Sequence, residues 1–143
     1  MERAEARGSG GADRLRGAEA MKHIDLQACT ADELVQEFAN LALSQGEAEL
    51  WDNIPKYNLL YRRMKFVEQE LKRRSADQRS KLVPLQQHPH AQVRLMAAIA
   101  TLAIAPEVSR ETLRLISDRN EYPQAADARG MLRALDEGTY IPL

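Results

Sequence analysis

An all-α fold follows from three features of the sequence. Helix-start signals recur along the chain, apolar residues repeat at intervals of three and four, and no run alternates apolar with polar in the manner of a half-buried strand. The chain has 143 residues, 20 Lys+Arg against 21 Asp+Glu, 44% hydrophobic residues and one cysteine. That length and apolar content suit a core needing neither disulfide nor structural metal. The near-zero net charge argues against a dedicated polyanion binder but not against a local basic face.

The first helix opens at Thr30, with Glu33 placed to complete a capping box. Leu34, Phe38, Leu41 and Ala42 then form its apolar line, leaving Glu33, Gln36, Glu37 and Asn40 for water. Gly46 is expected to stop or bend it. A second helix begins near Trp51 or at Pro55, where proline suits a first turn. Its inward line is Tyr57, Leu60, Met64, Val67 and Leu71, and Leu59 and Phe66 fall elsewhere on its surface. Trp51 is expected to anchor the packing of these two helices. With Asp52 it also invites comparison with HEAT-like DNA glycosylases, a comparison no wider match supports.

Ser75 and Gln78 repeat the capping pattern and predict a third helix through Leu82, Val83 and Leu85, bent or shortened by Pro84. His88-Pro89-His90 interrupts the chain. A fourth helix, Ala91 to Ile104, is expected to be central because ten of the eleven residues from Leu95 to Ala105 are apolar. That run is well short of the ~20 residues of a membrane span, so no membrane association is expected. Pro106 opens a fifth helix with Val108, Leu113 and Ile116 inward. Pro123 opens a sixth, with Ala126, Met131, Leu132 and Leu135 apolar and Gly138 at its end.

Residues 1 to 20 hold four of the seven glycines, four arginines and four acids, with Met1 and Leu15 as the large apolar groups. The expected division is a disordered extension over 1–28 and one helical domain over 29–143, with Met21 a candidate start for the folded part. The extension fits neither a signal peptide nor a transit peptide. A lone cysteine, Cys29, fits a reducing, cytoplasmic setting.

The segment PLQQHPHAQVRLMAAIATLAIAP, from Pro84 to Pro106, resembles the second helix of a HEAT unit, with Val93-Arg94 followed by the small pair Ala97-Ala98. More specifically, LVQEFANLAL, DQRSKLVPLQQHPHAQVRLMAA and YPQAADARGMLRALDEG make residues 31 to 143 similar to a small bacterial family, domain of unknown function two thousand nineteen. The resemblance implies an α-α superhelix of about six helices in HEAT-like hairpins, and no established activity. HEAT helices commonly start with Asp where this chain has His90, which puts in doubt an Asp-Arg ladder involving Arg94.

Charge is unevenly placed. Residues 21–55 carry one base and seven acids, whereas 56–81 carry nine bases and three acids. One reading is structural: the two helices attract each other across their rims. The other is functional: Arg62, Lys65, Lys72 and Arg73 form a stripe which, beside Tyr61 and Phe66, offers a surface to a protein partner or to phosphates. Four bases support only weak, salt-sensitive nucleic-acid binding.

No cofactor and no catalytic or metal-binding residue is expected. His88 and His90 lack a third ligand at suitable spacing. Cys29 stands near a helix start but has no evident base. Gly8, Gly10 and Gly11 follow no strand and precede no phosphate-loop lysine. The leading expectation is therefore a non-catalytic interaction module, an adaptor, inhibitor or immunity-type binder. The alternative is a nucleic-acid-binding protein related to DNA repair.

Overall fold

The computed structural model describes residues 25–143 and divides the chain into two compact units at Ala76/Asp77. Among the described residues there are five α-helices, two 3-10 segments and no strand, as the all-α expectation requires. The expected disorder of residues 1–24 lies outside the described residues. Within the remainder of that stretch, Leu26–Ala28 forms a 3-10 turn, with the Asp25 side chain accepting a hydrogen bond from the Gln27 amide at 3.0 Å.

The first unit is built on a helical hairpin. Helix α1, Ala31–Leu50, begins with the expected capping box: Thr30 Oγ1 accepts from the Glu33 amide at 3.0 Å, and Glu33 Oε1 accepts from the Thr30 amide at 2.9 Å. Leu34, Phe38, Leu41 and Ala42 are buried as predicted. Gly46 neither stops nor bends the helix into a turn; it is buried inside α1, which continues to Leu50. The helix penalty of glycine is only about 1 kcal/mol, and the hydrogen-bonded turn that follows can offset it.

Extension of α1 moves the connection to Trp51–Asn53. Asp52 there takes a positive φ of 56°, and the Asn53 amide closes back on the Ala48 carbonyl at 2.8 Å. Trp51 is consequently not the expected packing anchor: it caps the helix end and is 79% exposed. Helix α2, Ile54–Arg73, starts at Asn53, whose side chain accepts from the Lys56 amide, with Pro55 in the first turn. Leu60, Met64, Val67 and Leu71 form its buried line, and Tyr57 is half-buried.

In the second unit, the expected α-helix after Ser75 is instead a 3-10 helix, Gln78–Gln87. Its cap is Asp77, not Ser75: the Asp77 carboxylate accepts from the Arg79 amide and takes two guanidinium bonds at 2.9 and 2.7 Å. Pro84 accounts for much of the difference. Its missing amide and its ring disfavour the i to i−4 ladder of an α-helix.

Helix α3, Ala91–Ala100, follows with His90 as its N-cap. It ends four residues before the predicted boundary, because Thr101 turns its hydroxyl back onto the Ala97 carbonyl at 2.7 Å and begins a turn towards Pro106. Central placement holds: α3 packs against the 3-10 helix, α4 and α5, and Leu95, Ala97 and Ala98 are buried. Helix α4 spans Pro106–Asp118 and α5 spans Gln124–Glu137. Leu113 and Ile116 point inward as expected, but Val108 is exposed and its neighbour Ser109 is buried instead. On α5, Ala126 is exposed, whereas Ala125 and Ala128 are buried; Met131, Leu132 and Leu135 are half-buried. Gly138 closes α5 in the left-handed conformation, φ 76°, where a Cβ would be disfavoured.

Ser109 is buried because it belongs to a polar knot. Gln86 donates to Thr101 Oγ1 at 2.9 Å and to Ser109 Oγ at 3.1 Å, and accepts from the Thr112 hydroxyl. These bonds join the 3-10 helix, the end of α3 and α4, satisfying groups that would be costly to bury alone.

Replacing Ala98 by Leu should lower stability by about 1–3 kcal/mol through overpacking, whereas Leu at exposed Ala103 should change it by less than about 0.5 kcal/mol. Urea denaturation of the two variants, chemically identical and different only in burial, checks the central position of α3.

Candidate functional site

The six residues expected to form a surface on α2 divide into two groups. Tyr61, Lys65 and Lys72 occupy one side of the exposed face. There the Lys65 ammonium lies 5.9 Å from the Tyr61 ring centroid and 3.3 Å from the Glu68 carboxylate. Arg62, Phe66 and Arg73 instead line a cleft of about 580 Å³ together with Leu59, Arg63, Gln69, Glu70 and the segment Asp25–Gln27. Helical geometry explains the division: 62, 66, 69 and 73 are separated by four, three and four residues and stack on one face.

Phe66 is 60% exposed and Leu59 is also exposed, so the cleft has apolar groups open to solvent. Polar groups around them are arranged by Glu70. Arg73 donates to Glu70 Oε1 at 3.0 and 2.5 Å, and Arg74 Nε donates to Oε2 at 2.9 Å. Burial alone would raise the Glu70 carboxyl, yet the hydrogen bonds and charges of Arg74 and Arg73 outweigh it and hold the group below the ordinary carboxylate range. Arg74 also donates to the carbonyls of Leu26 and Cys29, at 3.1 and 2.7 Å. This fastens the 3-10 turn beside α2 and so builds one wall of the cleft.

Arg63 and Glu37 are the residues that sequence reasoning missed. Glu37, expected to face water, is only 3% exposed, and Arg63 is 8% exposed. They interact electrostatically across the α1–α2 hairpin. Neither Nε nor Nη1 of Arg63 has a hydrogen-bond partner among the described residues, and both atoms are buried. Desolvation pushes the Glu37 carboxyl up to about 8 despite the opposing charge of Arg63. Near neutral pH the acid is therefore mostly protonated and does not neutralise the guanidinium. One signal was available: Glu37 lies three residues after Leu34 and four before Leu41, on the flank of the buried face.

The histidine pair serves the backbone. His88 Nδ1 accepts from the His90 amide at 3.0 Å, and His90 Nδ1 accepts from the Gln92 amide at 3.1 Å. Arg94, in place of an Asp-Arg ladder with a helix-start aspartate, makes two 2.8 Å bonds to Glu121 and a third to the His88 carbonyl. That pairing holds the Glu121 carboxyl below its usual range. Cys29 is buried and free, its Sγ 4.0 Å from the Asp25 carbonyl. Among the described residues, no three His, Cys, Asp or Glu side chains are grouped to hold a metal, and no helix is long and apolar enough to cross a membrane.

A family model described as Domain of unknown function (DUF2019) matches residues 32–136, which include all of α1 but its first residue, α2 and the second unit through most of α5. The chain belongs to the DUF2019 family. A crystal structure of a similar protein, RPA1889 from Rhodopseudomonas palustris CGA009, has 42% sequence identity and a TM-score of 0.81, covering 84% of this chain and 99% of its own. None of the curated proteins compared matches the chain. The DUF2019 match includes every cleft residue on α2 and stops short of the Asp25–Gln27 wall.

The raised Glu37 carboxyl has a definite pH consequence. Between the ordinary value of 4.5 and about 8, the folded state keeps a proton that the unfolded state has lost, so this group makes stability fall as pH rises. The maximum slope is about 1.4 kcal/mol per pH unit. Glu37→Gln should match the parent near pH 4.5 and exceed it by a few kcal/mol at pH 8, measured as the difference between their denaturation curves. A variant less stable than the parent at pH 8 would contradict the assignment.

Proposed function

We propose that the protein is a non-catalytic interaction module that binds another protein through the α2 face of its first unit, as an adaptor, inhibitor or immunity-type binder. The observation that carries this reading is Phe66, an aromatic ring 60% exposed at a cleft beside Arg62. Aromatic and arginine side chains dominate the binding energy of protein interfaces, because each offers a large area with a specific polar or apolar edge. HEAT-like helical hairpins suit the role, since stacked hairpins present extended surfaces to a partner. A single buried, free cysteine supports placing this activity in the cytoplasm.

Charge on α2 favours a protein over a polyanion. Lys65 and Arg73, two of the four bases in the expected stripe, are paired with Glu68 and Glu70 on the same helix. A phosphate backbone would have to compete with those carboxylates.

Capture with the full chain from lysate of its native bacterium, compared with Phe66→Ser, tests the reading. Phe66 is exposed, so the substitution should leave the melting temperature nearly unchanged. Mass spectrometry should find a protein retained by the parent and depleted at least tenfold with the variant. Equal retention by both, or retained material that nuclease removes, would overturn it.

A further inference from the structure

Arg63 carries an inference that rests on the protein-binding reading and deepens it. The side chain is more than nine-tenths buried and lines the cleft, yet its Nε and Nη1 donate no hydrogen bond among the described residues. Leaving a guanidinium in this state is costly, because a buried donor without an acceptor forfeits its hydration. Such a group calls for an explanation, and an acceptor supplied by a ligand is one.

The carboxylates within reach do not supply it. Glu70 lines the same cleft, but its two oxygens already accept from Arg73 and Arg74. Asp25 stands on the opposite wall, with Oδ1 accepting from the Gln27 amide. Glu37 lies against Arg63 electrostatically but makes no hydrogen bond to the two orphaned nitrogens. Arg62, exposed and adjacent in sequence, and Arg73, which is bonded to Glu70, bring the cations of the lining to three. The apolar part of the lining is Leu26, Leu59 and Phe66.

We infer that this cleft receives an acidic segment of the partner protein, with a carboxylate side chain directed to Arg62 and Arg63 and an apolar side chain laid on Leu59 and Phe66. Charge complementarity selects the occupant. A cationic segment would meet Arg62 and Arg63, whereas a neutral one could offer acceptors to Arg63 but would leave both guanidinium charges uncompensated. Arginine is suited to the task because its planar fork engages both oxygens of a carboxylate. The volume, about 580 Å³, lies within the range of sites that enclose small groups of side chains or ligands.

The probe is a capped hexapeptide alternating leucine with glutamate, compared with its glutamine and lysine counterparts, each titrated into the isotopically labelled full chain and followed by amide NMR shifts. The glutamate peptide should perturb the amides of Leu26, Arg63 and Phe66 and bind at least tenfold more tightly than the other two. Arg63→Met should abolish the preference for glutamate over glutamine, and Arg62→Gln, at an exposed position, should reduce it while the remaining spectrum stays that of the folded parent. Equal affinity for the glutamate and glutamine peptides, or shifts confined to other surfaces, would overturn the inference. If Phe66→Ser still releases the captured protein while the peptides show no charge preference, the protein-binding reading survives and the acidic-segment inference falls.

Discussion

A cation buried in the α1–α2 hairpin without a full complement of acceptors is the constraint on which the first unit turns. Arg63 occupies a position on α2 beside the apolar line of Leu60, Met64, Val67 and Leu71 and is buried along with it. Glu37 on α1 is its electrostatic neighbour, but desolvation keeps the acid largely protonated near neutral pH. The hairpin thus encloses positive charge that it does not itself cancel. A cavity-free apolar replacement would stabilise such a seam at least as well, so stability alone gives no reason for Arg63 to be there.

The surrounding groups follow from that placement. Glu70 could have answered Arg63, but it is engaged by Arg73 and Arg74 instead. Arg74 in turn holds the carbonyls of Leu26 and Cys29, and the short 3-10 turn so fixed becomes the wall of the cleft. A single carboxylate therefore organises the cleft without bonding to Arg63. The second unit handles buried polarity in the opposite way. Gln86, Thr101, Ser109 and Thr112 satisfy one another, and Arg94 has Glu121. That contrast is what makes Arg63 informative.

Much of the architecture was legible before any coordinates. Thr30 with Glu33, the three-four line on α2 and Gly138 are local signals, and local backbone chemistry decides them. The misreadings have a common cause in tertiary context. Gln45, three turns after Leu34, is wholly buried on the face where Leu34 and Phe38 lie, so the buried face of α1 is wider and more polar than its hydrophobic residues suggest. Glu37 falls within that wider face. Trp51 was misplaced because α1 accommodates Gly46 and runs on for another turn, and the 3-10 form of Gln78–Gln87 depends on an Asp77 cap that the Ser75 pattern concealed. Of the candidate surface, Arg62, Phe66 and Arg73 were identifiable from spacing and share the cleft, whereas Tyr61, Lys65 and Lys72 lie off it. Arg63 was invisible as a functional candidate because one residue's rotation along a helix separates an exposed arginine from a buried one.

The account stands or falls on whether the Glu37–Arg63 seam is short of negative charge near neutral pH. Carbon-detected NMR of the Glu37 side-chain carboxyl, followed from pH 4 to pH 9, reads that directly. A titration midpoint near 8 is the predicted result. A midpoint near the ordinary 4.5 would show an ionised Glu37 balancing Arg63, and the seam would then enclose no uncompensated cation.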